Sequence, residues 1–199
     1  MSREHKGSII ILGAALSILL TGCHTTPSGH SAQAGTESAA SHADPQTQCL
    51  PPNASVTRYS PPELYLSAGQ CLKQNRLDEA VFLFGTAGSE GRFDTHRVAD
   101  VTAHQLASFM GVMFMKHVGE EAYGKFSAHM REQLKDDRAR RAFCNRLSQL
   151  PPPVYHPQYM INHGMAAFTS VGDQQVLRPL EDPRQTWRAS VNEYMDCKP

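Results

Sequence analysis

Apolar residues recur at helical spacing along most of the chain after residue 60, and no stretch keeps the period-two alternation of a half-buried strand. The first predicted helix begins at Ser60, because two prolines follow this N-cap serine and Glu63 can complete a capping box. It is expected to run to about Gln74. A second helix is predicted from Asp78 to Ala87, with acidic residues in the first turn, where they face the positive end of the helix dipole. The pattern predicts an all-α fold.

The rest of the domain continues the helical pattern. Asp94 is predicted to cap a long apolar helix through about Val118, which we expect at the centre of the core. Two more helices are predicted at residues 120–134 and 137–150, and three prolines end the second. Residues 154–168 are compatible with one short helix, and a last helix is expected to begin at Asp182. Three glycines are spaced as helix-end and turn residues: Gly85, Gly88 and Gly91.

The first helix pair resembles a tetratricopeptide (TPR) hairpin over about 25 residues. Ala68 falls at the tight helix crossing, and Ala80, Phe84 and Ala87 have the family's spacing on the inner face of the second helix. The likeness then departs, because Arg92 stands where the family has a proline and no second copy follows. Such repeats need about three stacked units to bury a core. The resemblance therefore implies one TPR-like hairpin inside a helical domain, with an ordinary packed helix pair as the alternative.

The N-terminal residues have the pattern of an export signal. Arg3 and Lys6 precede an apolar run at residues 9–20, which is a basic region followed by a hydrophobic one. The run is shorter than the roughly 20 residues that a transmembrane helix needs. We therefore predict a removed signal peptide at residues 1–22.

The signal ends in Leu20-Thr21-Gly22-Cys23, which resembles the lipobox of bacterial lipoproteins. The resemblance implies cleavage before Cys23, a diacylglycerol thioether on its sulfur and an acyl chain such as palmitate on the new amino terminus. An ordinary secretory signal with an accidental cysteine is the alternative. His24 follows in place of the aspartate that commonly retains such lipoproteins in the inner membrane. The resemblance thus favours an outer-membrane protein that faces the periplasm and is held by membrane lipid.

Residues 23–48 predict a disordered linker, because they contain no aromatic or branched aliphatic side chain that could enter a core. A flexible chain of about 25 residues spans roughly 25–30 Å on average. The remaining residues, 49–199, are enough for one helical domain with its own core. Three irregularly spaced linker histidines do not predict a metal site: His24, His30 and His42.

The cysteines of the mature chain predict disulfides. An even number remains after lipidation of Cys23, and in an oxidising periplasm such a number indicates two bonds with three possible connectivities. We expect Cys49 to pair with Cys71, and Cys144 to pair with Cys197. Free buried thiols are the alternative.

Composition and motifs exclude several classes of function. The 19 basic and 19 acidic residues balance, so the chain has no basic field for nucleic acid. Glycine-rich phosphate loops, GxSxG and HExxH are missing, so no catalytic residue, metal or cofactor is predicted. An enzyme would need a histidine and carboxylate cluster that only folding assembles, and its best candidates are Asp100, His104 and His163.

Two segments are candidate partner-binding surfaces. In the first, charges recur at helical steps and predict a ladder in which Arg97 pairs with both Asp94 and Asp100; a purely structural ladder is the alternative. The second segment, residues 155–165, is dense in residues that are enriched at interfaces, and a loop that closes the core is its alternative. The candidate residues are Arg92, Asp94, Arg97, Tyr155, Tyr159, Met160 and His163.

The anchor, the linker and the helical domain together favour a non-enzymatic module that binds an envelope or secreted protein. One form is an immunity protein against a toxin delivered into the periplasm. Another is an accessory subunit of an envelope or secretion assembly. The alternative class is a periplasmic hydrolase or metal-dependent enzyme.

Overall fold

The computed structural model describes residues 43–169 and 176–197, so the predicted signal peptide, the lipobox and most of the linker lie outside the described residues. In the described ranges all the regular structure is helical apart from one isolated β-bridge between Val98 and Leu177, and the all-α prediction is confirmed. None of these helices is both long enough and apolar enough to cross a bilayer. The α-helices are α1 Pro61–Lys73, α2 Leu77–Arg97, α3 Gln105–Val118, α4 Glu120–Gln133, α5 Asp137–Ser148, α6 Gln158–Ile161 and α7 Pro183–Met195.

Local signals set the starts of α1 and α7, and both predicted starts are confirmed. The backbone N–H of Ser60 donates to Glu63 Oε2 at 2.7 Å, which is one half of the predicted capping box. At α7 the carboxylate of Asp182 accepts a hydrogen bond from Gln185 N at 3.0 Å. Each cap gives a partner to a backbone N–H that the first turn leaves without one.

The second helix is much longer than predicted, because α2 continues from the expected end at Ala87 to Arg97. Gly85, Gly88 and Gly91 therefore lie inside α2, and the prediction that they mark helix ends and turns is wrong. Asp94 also lies inside α2, so the prediction that it caps the next helix is wrong as well. The next α-helix begins only at Gln105, after a 3-10 turn at Val101–Ala103.

The glycines of α2 allow its neighbours to approach closely. A Cβ atom at Gly88 would lie 1.9 Å from Tyr194 Cζ of α7. A Cβ atom at Gly85 would lie 3.0 Å from the Phe143 ring of α5, and Gly91 faces α3 in the same way. A glycine inside a helix costs about 1 kcal/mol relative to alanine, and here close packing against three helices offsets that cost.

The centre of the core is α2 rather than α3. The α2 side chains buried in the core include Val81, Phe82 and Phe93. The helix α3 packs against this core along one face only, and the prediction that this most apolar helix is central is wrong. Its outward side chains are exposed, with fractions of 51% at Phe109, 40% at Val112 and 52% at Met113.

The two helices of the predicted TPR-like hairpin, α1 and α2, pack against each other. Ala68, Ala80 and Ala87 are fully buried, and Phe84 packs against the core cluster. These small residues suit a close helix crossing. The likeness to the TPR family itself stays a prediction.

Two disulfides close the fold with the predicted pairing, which is confirmed. Cys49 is bonded to Cys71, with Cα atoms 4.6 Å apart, and this bond ties the N-terminal segment to α1. Cys144 is bonded to Cys197, with Cα atoms 6.2 Å apart, and this bond ties α5 to the residue just beyond α7. Both Cα separations lie in the range that disulfide geometry allows.

The folded part begins before the predicted boundary at Cys49. The hydroxyl of Tyr59 donates to the carbonyl oxygen of Ala43 at 2.9 Å. The hydroxyl of Ser67 donates to the carbonyl oxygen of Gln48 at 2.8 Å. The end of the predicted linker, residues 43–48, therefore packs against the α1 region through hydrogen bonds that composition alone does not indicate.

Candidate functional site

A buried carboxylate cluster lies at the C-terminal end of α2. Asp94 is fully buried, and its Oδ2 accepts hydrogen bonds from the hydroxyls of Tyr155 at 2.9 Å and Tyr159 at 2.7 Å. Its Oδ1 pairs with Arg97 Nε at 2.6 Å. The guanidinium of Arg97 also donates to the backbone carbonyl of Tyr155 at 2.9 Å, and its carbon atom lies 4.9 Å from the centre of the Tyr155 ring. These contacts hold residues 154–163, which we call the strap, against α2.

Glu90 lies one helical turn before Asp94 and is also fully buried, and among the described residues neither of its carboxylate oxygens accepts a well-formed hydrogen bond. Burial raises the pKa of Glu90 well above its ordinary value, and the neighbouring charge of Asp94 raises it further against the opposing effects of Arg97 and of the nearby Tyr155 hydroxyl, which donates to Asp94. A carboxyl group in such a place is neutral, because an unpaired buried charge costs far more than protonation. Burial likewise raises the pKa of both strap tyrosines, so they remain protonated donors to Asp94.

The first candidate segment is only partly a charge ladder. Arg97 pairs with Asp94 as predicted, but its predicted pairing with Asp100 is wrong. Asp100 instead accepts hydrogen bonds from Thr102, from the backbone N–H at 2.9 Å and from the hydroxyl at 2.6 Å, and so caps the turn after α2. Arg92 points away from this cluster and forms an ion pair with Glu193 of α7 at 3.2 Å.

The strap covers most of the second candidate segment, and its tyrosines and methionine face inward while five of its ten residues are exposed. Met160 is fully buried in the core, and the hydroxyls of Tyr155 and Tyr159 reach Asp94. His163 is exposed, and its Nδ1 lies 2.6 Å from the Tyr159 carbonyl oxygen. The alternative prediction for this segment, a loop that closes the core, therefore holds for Tyr155, Tyr159 and Met160 but not for His163.

The three residues that an enzyme would need, Asp100, His104 and His163, instead make hydrogen bonds that stabilise the fold. Hydrogen bonds from Thr102 lower the pKa of Asp100, and the backbone N–H of Ala166 contributes to this effect. His104 Nε2 lies 2.9 Å from the Val98 carbonyl oxygen. Within residues 43–169 and 176–197, no three His, Cys, Asp or Glu side chains are arranged to hold a metal ion.

An apolar groove lies between α1 and α3 and is closed at one end by the strap. Its volume is about 330 Å³. Along α3 it extends from Leu106 to His117, which is about 16 Å at the helical rise per residue. Tyr159 joins the groove to the buried cluster, since its ring lines the groove and its hydroxyl reaches Asp94. The lining residues are Pro62, Tyr65, Leu66, Leu106, Met110, Met113, Phe114, His117, Tyr159 and His163.

A second hollow of about 510 Å³ lies on the other side of α3, and it shares Leu106 and His163 with the groove. We call the groove, this hollow and the helix between them the α3 surface. Neither depression is lined by an Asp, Glu, Lys or Arg side chain. Residues 105–115 contain no charged residue. This pattern by itself favours burial, because a helix that is apolar all round is usually buried, but the structure leaves one side of α3 exposed. The residues that line the second hollow are Gln105, Leu106, Ser108, Phe109, Val112 and His163.

The chain matches no protein-family model, no curated protein and no solved structure. Its function must therefore be argued from its own surfaces and contacts. Two features stand out among the described residues, and the strap connects them. One is the buried cluster around Glu90 and Asp94, and the other is the α3 surface.

Proposed function

We propose that this chain is a lipid-anchored lipoprotein of the bacterial outer membrane whose helical domain binds another envelope or secreted protein in the periplasm. The observation that carries the proposal is the exposed apolar side of α3. Phe109, Val112 and Met113 stand in solvent at 51%, 40% and 52% exposure. Contiguous exposed apolar patches of this kind mark interaction sites on soluble domains.

The energy available at this surface fits protein binding. Completing the burial of three half-exposed side chains yields on the order of 3 kcal/mol, since full burial of one large side chain is worth about 1.5–3 kcal/mol. Filling the two depressions beside them adds to this gain. Methionines in the lining adapt their shape to a partner, because their side chains are unbranched and flexible.

The expected anchor would keep this domain close to its partners. Two or three acyl chains at Cys23, each gaining about 0.8 kcal/mol per buried methylene, would hold the protein on the membrane permanently. The roughly 20 residues between Cys23 and the folded part would have an average span of roughly 22–27 Å, so the domain would stay near the bilayer. This reach suits a partner that is embedded in, or passes through, the same membrane.

The polar groups support binding rather than catalysis. Asp100 and His104 form hydrogen bonds with backbone atoms of nearby residues. Asp94 already accepts hydrogen bonds from the strap tyrosines and from Arg97. Glu90 is sealed from solvent. A general acid or base must reach a substrate atom within hydrogen-bond distance, and these side chains face the interior or the turn that they cap.

The test is photocrosslinking in living cells. A photoreactive amino acid is placed at Val112, and the matched control carries it at Val154, an apolar strap residue that is 74% exposed and lines neither depression. We expect one cross-linked protein from Val112 and none from Val154, with mass spectrometry giving its identity. Equal labelling at both positions, or none at Val112, would contradict the proposal.

Anchoring is tested separately with Cys23→Ser. We expect the variant to lose labelling by radioactive palmitate and to disappear from the outer-membrane fraction. Unchanged fractionation and labelling would refute lipidation at this residue. The result does not depend on the partner.

A competition assay distinguishes the two forms of the proposal, an immunity protein and an accessory subunit of an envelope assembly. A strain that lacks the gene is grown with sister cells that carry an active toxin-secretion apparatus. Killing of the deletion strain, with rescue by the intact gene, would indicate an immunity protein. Survival would exclude immunity and leave the accessory subunit of an envelope assembly.

A further inference from the structure

The α3 surface has depressions on both sides of one helix. The groove of about 330 Å³ uses Met110 and Met113, and the hollow of about 510 Å³ uses Phe109 and Val112. The two depressions meet at His163. A single acyl chain would occupy one of them, whereas a helix carries two rows of side chains that can enter both as ridges enter grooves.

The length of the groove also suits a helix. Its extent of about 16 Å along α3 corresponds to three helical turns. A helix of that length presents anchors at positions i, i+3 or i+4, and i+7, which is the usual pattern of a helix bound in a groove. The openings on both sides of α3 then receive neighbouring rows of the same bound helix.

The lining restricts the chemistry of the bound face. Among the described residues, no Asp, Glu, Lys or Arg side chain lines either depression. A lysine or arginine that entered would be buried without a counter-charge, which is strongly unfavourable, and an aspartate or glutamate would meet only the imidazoles of His117 and His163. The contacting face of the partner must therefore be uncharged and mainly apolar.

His163 adds one polar requirement. A carbonyl oxygen only accepts, so the 2.6 Å contact between His163 Nδ1 and the Tyr159 carbonyl places the ring proton on Nδ1. In the neutral ring Nε2 is then a hydrogen-bond acceptor. It is matched by a donor on the partner, such as a hydroxyl, an amide or an indole N–H.

We propose that the α3 surface receives an amphipathic helix of the partner protein, uncharged on its contacting face and carrying a hydrogen-bond donor opposite His163. This inference rests on the proposed function and specifies the binding element of the partner. The partner helix lies along α3 with its two rows of apolar side chains in the groove and the hollow.

The test is selection from a displayed library that contains helical peptides and extended peptides in equal numbers, all with randomised positions. The target is the mature chain with Cys23→Ser, which keeps every described residue and needs no detergent that would fill the groove. We expect enriched peptides to share apolar residues at i, i+3 or i+4, and i+7, with no charge on that face and one conserved donor. Enrichment of extended, proline-rich or charged-face peptides, or no enrichment, would overturn the proposal.

Variants of the target locate the binding site. Val112→Lys is expected to weaken the selected peptides at least about tenfold, because it places a charge beneath the apolar face. The matched control Val154→Lys should change affinity less than about twofold. Circular dichroism checks that the helices are intact, and Met113→Lys provides a second test of the same surface. Peptides that bind the lysine variants unchanged would refute the assigned site.

The donor is tested at His163. His163→Ala is expected to weaken binding about threefold to tenfold, the effect of one ordinary hydrogen bond. His163→Gln keeps an acceptor and should recover most of the loss. Equal binding by all three proteins would refute the donor requirement. If Val112 cross-links a protein in cells but the selection gives no helix, the helical partner is wrong while the proposed function stands.

Discussion

Replacing Glu90 by glutamine should stabilise the protein, and by more as the pH rises. Glu90 is fully buried and accepts no well-formed hydrogen bond from the described residues, so the folded chain holds this carboxyl in its neutral form. The unfolded chain releases the proton near the ordinary pKa of a glutamate, about 4.3. Folding at higher pH must therefore take up a proton, and Glu90→Gln removes that requirement.

The direction and the size of this pH dependence follow from the linkage between proton binding and folding. Burial raises the pKa of Glu90 in the folded protein. The free energy of unfolding therefore has its full value at pH values below the pKa that Glu90 has in the unfolded chain. It decreases as the pH rises from there towards the pKa that Glu90 has in the folded protein. Within this window the slope is about 1.4 kcal/mol per pH unit for one proton. Between pH 5 and pH 7 the advantage of Glu90→Gln should grow by up to about 3 kcal/mol.

The assay is urea unfolding followed by circular dichroism at pH 5, 6 and 7, with the disulfides oxidised. The matched control is Glu181→Gln, since Glu181 is exposed and its substitution should alter the unfolding free energy little at any of these pH values. A difference between wild type and Glu90→Gln that stays constant with pH would refute a neutral, buried Glu90. A loss of stability at every pH would show that the amide is accommodated less well than the acid.

Four further variants test the packing, each by urea unfolding. Gly88→Ala should cost about 3 kcal/mol, because its Cβ would overlap the tyrosine ring of α7; an unchanged midpoint would contradict that close approach. Gly111→Ala, also inside a helix but with open space around it, should instead stabilise by about 0.5–1 kcal/mol. Asp94→Asn should cost about 3–5 kcal/mol, since it breaks a buried ion pair, and the strap should become more sensitive to protease; equal protease resistance would exclude its role in holding the strap. Replacing both Cys144 and Cys197 by serine should cost about 4 kcal/mol through the entropy of the opened loop; a loss near zero would indicate that the unfolded chain is already compact there.

The parts of the fold that could be predicted are those with local causes. The capping box at Ser60 and the cap at Asp182 involve neighbours three residues apart, so the sequence contains the whole interaction. The glycines of α2 could not be interpreted in this way. Gly88 is favourable inside the helix only because Tyr194 arrives from a distant helix. Without that contact a glycine indicates a helix end.

The candidate site was predicted only in fragments. The sequence pattern identifies four residues of the cluster, but it places them at the surface, because charges and tyrosines are usually exposed or at interfaces; they are Asp94, Arg97, Tyr155 and Tyr159. The contacts that bury them join residues 61 and 65 positions apart. Glu90 was not selected at all. Its signal was an acid one turn before Asp94 on a helix face that is otherwise small and apolar.

The disulfide between Cys144 and Cys197 encloses the strap, which contains α6, and the whole of α7 in one covalent ring. A protease that cuts this ring once, for example in the exposed stretch around Phe168, leaves both pieces joined. In an oxidising compartment the nicked protein would therefore keep its last helix and remain whole on a non-reducing gel. Only reduction would release a fragment, so nicking beside the α3 surface can alter binding without shedding any part of the domain.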